Sequence, residues 1–499
     1  MRHIIKLSIC SLLLALAVAF ATFFIHAAPT CTVTIPVSVT LIDGNSNYSQ
    51  LKPGDTVCIA GGLRKAMTIK NIRGQQGKPV TIINNGGVVR IDAEQARSGI
   101  EIETSSDIRL TGTGVIAQCG SAVAPVSQQC GIDVFNATKA LSAESLDGTV
   151  NNIEIDHVTV HDSNPNGAFP TGISFKPRNL KHITGIRVHH TYVHDTMFEG
   201  MYIGNDPNKP PSDNGTMSHV DIHHNLVERT GFDGINVKQA TNIEVHHNIV
   251  RTTGLMNGKV DHVSEGGIQL ASSMGEVFNN LVIDSDDTGL NVGRELPSSN
   301  TRFYNNIIVN STNEGIKTQE INAAIYNNTI INNGAAGIDA TGANAKVYDN
   351  IVVGTITGRN SGNNLIGSLQ SMGFANTLLH DYHLTSGSPA INKGGIAGSS
   401  FDFDDKPRPQ DSKSDIGAYE FGNTQISPTI TPTLPPISDC PKKSRGDANC
   451  DGFVDIVDFE IFRKEYTGPL STKDSDFDMN NIVDIVDFEI WRRGMFIAK

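Results

Sequence analysis

Apolar and polar positions along the chain follow a long repeat. Eight segments superimpose: EIDHVTVHDS from Glu154, RVHHTYVHDT from Arg187, DIHHNLVERT from Asp221, EVHHNIVRTT from Glu244, EVFNNLVIDS from Glu276, RFYNNIIVNS from Arg302, AIYNNTIINN from Ala324 and KVYDNIVVGT from Lys346. Their starts lie 33, 34, 23, 32, 26, 22 and 22 residues apart. A unit of this length, with insertions, suits one coil of a β-helix. Inside a unit three short stretches alternate with period two, as at residues 222–224, 226–227 and 234–238, which predicts three strands per coil. Helical spacing of apolar residues is absent. One coil cannot bury its apolar side alone, so coils must stack, with equivalent residues about 4.8 Å apart along each sheet. The expected body is an all-β parallel β-helix, right-handed because parallel crossovers nearly always are.

Stacking turns the repeat into columns. Asn225, Asn248, Asn280, Asn306, Asn328 and Asn350 share one column at a bend. Asn tolerates left-handed backbone there, and its amide can bond the copies above and below. His189, His190, His223, His224, His246 and His247 form a second cluster. A transition-metal site and a hydrogen-bonded stack are both open for it, and Asn and Tyr in the same columns of later coils favour the stack.

In the third strand, alternation points Ile235 and Val237 inward and Asn236 and Lys238 outward. The same register gives an outward column of Ser174, Tyr202, Asn236, Gln269, Asn291 and Lys317, and a second of Lys176, Gly204, Lys238, Ala271 and Gly293. Glu199, Asp233, Glu265, Asp287 and Glu314 read as an acidic line in the turn just before it. Insertions at 205–217 and 255–263 flank these coils and could wall a groove. The candidate catalytic set is therefore Lys238, Tyr202, Asp233, Glu199 and Glu265. A lysine of lowered pKa could take the C5 proton of a uronate, with Asp233 and Glu265 holding a calcium ion or the sugar. Glu199 and Asp233 across a glycosidic bond would serve hydrolysis instead. A solvated outer face demands polar residues at the same positions.

The ends of the chain carry different messages. Arg2 and Lys6 precede an apolar run at 7–25, then Ala27 and Ala28, which predicts an export signal over residues 1–28 and an extracellular or cell-surface protein. The run approaches the length of a membrane span, so membrane attachment is expected only if the signal stays uncleaved. Six cysteines follow, in near-neighbour pairs Cys31 and Cys58, Cys119 and Cys130, Cys440 and Cys450. Six allow 15 connectivities, and an even count in an exported chain favours disulfides. Residues 422–439 are rich in Thr, Pro and Ser and predict a semi-extended linker between the β-helix domain at 29–421 and a small domain at 440–499. The net charge of -13 argues against a nucleic-acid partner. A monomer is expected.

Residues 447–458 (DANCDGFVDIVD) and 476–487 (DFDMNNIVDIVD) place oxygen donors at loop positions 1, 3, 5, 9 and 12 with a carbonyl at 7, as a hard cation requires. The first set is Asp447, Asn449, Asp451, Asp455 and Asp458 with the Phe453 carbonyl. The second is Asp476, Asp478, Asn480, Asp484 and Asp487 with the Ile482 carbonyl. Gly452 supplies the sharp turn at position 6, and Asn481 stands there in the second loop. Two calcium ions are expected, with a third considered for the β-helix groove.

Two resemblances follow from these motifs. Tandem loops ending in Asp resemble a type I dockerin, which implies tethering to a cohesin-like protein. The apolar pairs Ile456-Val457 and Ile485-Val486, at positions that often choose the partner, imply an unusual one. Residues 51–62 and 77–87 resemble the opening coils of extracellular β-helix proteins, many polysaccharide lyases among them, and 381–394 with 402–421 resemble the closing segment of bacterial right-handed β-helix repeat proteins. This pectate-lyase-like resemblance implies a secreted carbohydrate-active protein, a uronate lyase first, with a polysaccharide as partner. A glycoside hydrolase, a uronate epimerase and a non-catalytic carbohydrate-binding scaffold are the alternatives. The polygalacturonase set of paired aspartates, Gly-His-Gly and Arg-x-Lys is missing, since Asp286-Asp287 has no such company.

Overall fold

The computed structural model describes residues 30–422 apart from 115–129, 146–148, 164–168, 206–213, 257–265, 294–299, 320–321, 343, 378–379 and 396–397, and then Gly446, Ala448, Ile461, Phe462, Ser475, Phe477, Val483, Ile490 and Trp491. The chain divides into two compact units, residues 1–422 and 423–499.

In the first unit the 22-residue repeat becomes a parallel β-helix. A representative coil runs Gly215–His223, Leu226–Thr230 and Ile235–Lys238, the first, second and third faces. The first two faces form one 22-stranded sheet folded at a corner, and the third is a separate sheet of 12 parallel strands. Register holds along the stack, so Ile222 faces Val245, Val277, Phe303, Ile325 and Val347 in turn. On the third face Ile173, Met201, Ile235, Ile268, Leu290, Ile316 and Ile338 form an equivalent inward column, all buried. Each such side chain contributes about 1.5–3 kcal/mol by burial, available only because a neighbouring coil covers it.

The corner between the first and second faces is held by the asparagine column. Asn225 Nδ2 donates to Asn248 Oδ1 at 2.9 Å, and the same bond recurs from Asn248 to Asn280, Asn280 to Asn306, Asn306 to Asn328 and Asn328 to Asn350 at 2.9–3.0 Å. It continues one step further, to Asn364. The second amide hydrogen goes to a backbone carbonyl of the preceding coil, Val188 for Asn225 and Val277 for Asn306. The expected left-handed backbone is not on these residues. It lies one position earlier, on His190, His224, His247, Asn279, Asn305, Asn327 and Asp349, with φ between 51° and 55°. The ladder asparagines are needed for their amides, and the kink is left to their neighbours. That kink ends the first strand at His223, one residue before the sequence pattern predicts.

Entry to the third face demands glycine for a different reason. A Cβ on Gly234 would meet Val250 Cγ1 at 2.3 Å and Gly267 O at 2.7 Å. Gly200, Gly267, Gly289 and Gly315 repeat this close approach. The residues before them fix the turn column through bonds from Gly200 N to Asp233 O, Gly234 N to Gly266 O, Gly267 N to Thr288 O and Gly289 N to Glu314 O. The column is therefore Glu199, Asp233, Gly266, Thr288 and Glu314. Gly266 and Thr288 hold the positions at which the sequence predicted acids, and Asp287 stands one residue out, so the acidic line is broken at two coils.

Residues 374–422 close the stack, as their sequence implies. Tyr382, Ala418 and Tyr419 pack on Ile283, Val309 and Ile331. The buried guanidinium of Arg408 bonds Glu420 Oε1 at 2.9 Å and the Gly417 carbonyl at 2.7 Å. At the opening end Cys31 and Cys58 form a disulfide. Cys130 is disulfide-bonded as well, to a partner outside the described residues.

Apart from Val483, the described residues of the second unit are related in pairs by the 29-residue offset: Gly446 with Ser475, Ala448 with Phe477, Ile461 with Ile490, Phe462 with Trp491. Ile461, Phe462, Ile490 and Trp491 are helical. Ala448, Phe477 and Trp491 bury together, with Ile461 and Ile490 against them, so the duplicated sequence packs on itself. The signal segment, the linker after Gly422 and all twelve loop ligands, from Asp447 to Asp487, lie outside the described residues.

Candidate functional site

Both outward columns of the third face have the register read from the sequence. Ser174 pairs with Tyr202, then Asn236, Gln269, Asn291, Lys317 and Asp339. Gly204 pairs with Lys238, and Lys238 with Ala271. The neighbouring coil places Lys176 opposite Glu144. These outward residues are not simply solvated, because Ser174 and Asn236 are fully buried and Tyr202, Lys176 and Lys238 half-buried. Ser174 Oγ and Asn236 Oδ1 are buried without a hydrogen-bond partner. Unsatisfied buried polar atoms cost about 1–3 kcal/mol each, which marks a surface shaped for something polar.

Tyr202 lies between two lysines. Lys176 Nζ stands 4.4 Å from its ring centroid and Lys238 Nζ 5.3 Å. Burial, helped by the nearby Lys139, pushes Lys176 down to about 8, with Glu199 and Glu144 pulling the other way. Lys176 is the residue that sequence reasoning left out. It appeared only as one outward position, because nothing local shows how little water reaches it. Beside it Glu144 ties together Arg97 Nη2 at 2.5 Å, Lys139 Nζ at 2.5 Å and Arg178 Nε at 2.8 Å. Burial would raise this carboxyl, but these cations outweigh it and hold it well below the usual range.

The carboxylates sit behind this surface. Asp233 is fully buried, accepting Gly266 N–H at 2.8 Å and Asn236 Nδ2–H at 2.6 Å. Burial first, then the adjacent Glu199, raise its pKa well above the ordinary value. In this position Asp233 orients Asn236, and the calcium or sugar contact expected of it would require the carboxyl to be uncovered. Glu199 accepts from Thr171 Oγ1 at 3.3 Å and is almost buried. Glu265 lies outside the described residues. Tyr202, Lys238 and Lys176 thus lie together on the outward face, with Ser174 and Asn236 beside them and Glu199 and Asp233 beneath.

Two further features lie away from the third face. A cleft of about 1000 Å³ runs along the first face, lined among others by Arg187, Asp221, Glu244, Glu276 and Arg302. Its arginines are engaged internally, Arg187 with Asp221 at 3.0 Å and Arg302 with Glu276. At the corner, the histidines form two parallel stacks. His189, His223 and His246 stack at 4.7–5.0 Å and continue into Phe278 and Tyr304, while His190, His224 and His247 stack at 4.8–5.1 Å. Burial lowers His190 and His224 to about 4.

Comparison with known proteins bears on the fold. A family model described as a right handed beta helix region matches residues 171–356. Among solved structures, a pectate lyase is similar at 14% identity with a TM-score of 0.47, covering 78% of this chain and 97% of its own. An alginate lyase from Paenibacillus sp. str. FPU-7 is similar at 14% identity and a TM-score of 0.40, covering 68% and 99%. A mannuronan C-5 epimerase module from Azotobacter vinelandii gives 15%, 0.34, 64% and 88%. No curated protein matches the sequence. Likenesses this distant assign no activity, and the coils matched by the family model are those of a right-handed parallel β-helix.

Proposed function

We propose that this chain is a secreted, carbohydrate-active β-helix that cleaves a uronate-containing polysaccharide by β-elimination on its third face. The observation that carries the reading is the Lys176–Tyr202–Lys238 sandwich, with Lys176 lowered to about 8. At pH 7 about one Lys176 in ten is then a neutral amine, enough for a general base. In the proposed step Lys176 Nζ takes the C5 proton while the C5–H electrons form the C4–C5 double bond. The C4–O bond breaks, and the leaving oxygen takes a proton from the Tyr202 hydroxyl. The Lys238 ammonium pairs with the substrate carboxylate and the charge that develops on it.

The second unit serves, in the same proposal, as a calcium-loaded dockerin-like tether to a cohesin-like partner. The self-packed pairs 29 residues apart support a duplicated module. The test of the enzymatic reading is direct. Calcium-replete full chain is incubated with a panel of polyuronates and neutral polysaccharides, and unsaturated product is followed by its ultraviolet absorbance. Absorbance that grows on a polyuronate is expected. Saturated products would transfer the site to a hydrolase, and binding without turnover would make the third face a carbohydrate-binding scaffold.

A further inference from the structure

At the corner between the first and second faces, each coil places two histidines side by side across the kink. The Nδ1 atoms face one another at 2.8 Å in His189 and His190, 2.9 Å in His223 and His224, and 2.7 Å in His246 and His247. Such a contact is satisfied if one nitrogen carries a hydrogen and the other a lone pair. The other ring nitrogen decides which.

In the 189/190 pair the requirement is met. His189 Nε2 lies 3.2 Å from Glu154 Oε1, and a carboxylate cannot donate, so the hydrogen is on Nε2 and Nδ1 is bare. Among the described residues no carboxylate stands within ion-pair distance of His190, whose Nδ1 can carry the hydrogen that His189 accepts.

In the 246/247 pair the requirement fails. His247 Nε2 lies 3.1 Å from both oxygens of Asp405. Asn279 Nδ2 is 3.0 Å from the same nitrogen, but its hydrogens also have the carbonyls of Asp402 and Phe403 at 3.2 Å. His246 Nε2 lies 3.3 Å from Asp221 Oδ1, an ion-pair approach that is not aligned as a hydrogen bond in this ring orientation. A carboxylate beside each Nε2 favours a hydrogen there on both rings. Two bare Nδ1 atoms then point at each other across 2.7 Å, which needs a positive centre between them. A third imidazole, His224, offers a nitrogen within 4.8 Å of both.

We propose that His224, His246 and His247 bind a divalent transition metal of the borderline class, such as zinc. Carboxylates on the far nitrogens of ligating histidines are the usual outer shell of such sites. Zinc–nitrogen bonds are about 2.0–2.1 Å, so two ligand nitrogens on a tetrahedral ion stand about 3.3 Å apart: the pair opens by about half an ångström, and His224, stacked on His247, turns its nitrogen inward from within 4.8 Å. Three protein nitrogens leave one position to solvent. The site borders the first-face cleft, because Asp221 and Glu244 line that cleft and also group with His246. Asp405 belongs to the closing segment, 158 residues along the chain from His247, so the ion would staple the cap onto the stack. The chain itself supplies the replacement that removes ligands without removing the fold. One coil later the same two columns hold Phe278 and Asn279, stacked ring and left-handed kink included.

The test uses the full-length chain, stripped of transition metals and kept in excess calcium so that the C-terminal loops are occupied, titrated calorimetrically with zinc chloride. Wild type is expected to take up one tight zinc ion and to melt at higher temperature with it. His246→Phe with His247→Asn should lose that ion, while His189→Phe with His190→Asn should bind as wild type does. Asp405→Ala, which leaves all the rings in place, should weaken zinc about 10–100-fold and covers the case in which the double variant fails to fold. No saturable zinc uptake by wild type would show that a shared proton fills the gap and would overturn the site. Equal uptake by the 246/247 variant would overturn it too.

Discussion

The ammonium of Lys176 lies 4.4 Å from the centre of the Tyr202 ring, on one coil, while Lys238 approaches the same ring from the next coil but one in the chain. Cation–ring contacts are worth about 0.5–2 kcal/mol and favour the charged lysine. For Lys176 that gain is overwhelmed by burial, which is the first cause of its descent to about 8. One lysine is thereby prepared to lose a proton, and the other faces it as a partner for anions.

Lys238 and Tyr202 should separate kinetically. Lys238→Met removes a charged contact to substrate, worth about 1.5–3 kcal/mol, and raises KM ten- to a hundredfold with a weaker dependence on salt. Tyr202→Phe keeps the ring between the lysines and removes the hydroxyl, so kcat falls with KM nearly kept. Initial rates on the responsive polymer measure both. A Lys238→Met enzyme with unchanged KM would detach this residue from substrate.

The division between what the sequence revealed and what it hid follows from the range of each interaction. Asn225 through Asn350, and the column from Ser174 to Lys317, were legible because stacking makes every equivalent residue a neighbour, so a repeat in sequence is a contact in space. The acidic line fails at Asp287 although its coil runs from Leu281 to Gly289 without insertion, because Thr288 and not Asp287 stands ahead of the glycine of close approach, which marks the true register. Lys176 was hidden for another reason. Its shifted proton affinity comes from burial on an outward face, and alternation predicts only direction. The opposed Nδ1 atoms of His246 and His247 depend on Asp405, which no local pattern connects to them.

The asparagine ladder sets a stability test. Asn306→Ala strands the Asn280 backbone N–H, removes one of the acceptors of Asn280 Nδ2, leaves Asn328 Oδ1 short of one of its two donors and leaves the Val277 carbonyl without the Asn306 amide. A loss of about 1–3 kcal/mol is expected from the buried groups left unsatisfied. Asn344, bonded at 3.2 Å to an exposed Asn322, should change by under about 0.5 kcal/mol when replaced by Ala. Asn214 is no such control, because it holds Gln239 and its own loop backbone. Urea midpoints of the two variants would contradict the ladder by coinciding.

Trp491 is the only tryptophan in the chain and lies buried against Ala448 and Phe477. Its fluorescence therefore reports on the C-terminal module within the intact protein. Ten side-chain ligands converge in the two loops proposed to bind calcium, and their mutual repulsion should open this core when the ion is removed. Chelator is expected to shift the emission to longer wavelength and calcium to restore it, with two ions bound per chain. Asp447→Ala and Asp476→Ala should each remove one ion. An emission spectrum indifferent to chelator would refute the calcium loops.

Lys176 makes the sharpest prediction because its two effects have opposite signs. A lysine whose folded pKa is about 8, against about 10.4 unfolded, binds fewer protons folded than unfolded between those values. Stability conferred by this residue therefore rises as pH climbs from 8 to 10, and below pH 8 the full penalty of about 3 kcal/mol applies. Lys176→Met removes the charge and keeps the length, so at pH 7 the variant should be more stable than wild type by about 1–3 kcal/mol, less whatever the ring contact contributed. If Lys176 is the base, the same variant loses turnover at least a thousandfold while binding polymer as before, and wild-type kcat rises with pH through about 8. A merely structural lysine would give the stability gain without the loss of turnover. Melting curves at pH 7 and pH 10, read beside the rate profile, distinguish the two. A variant that is both less stable and fully active would show that Lys176 is neither strained nor used.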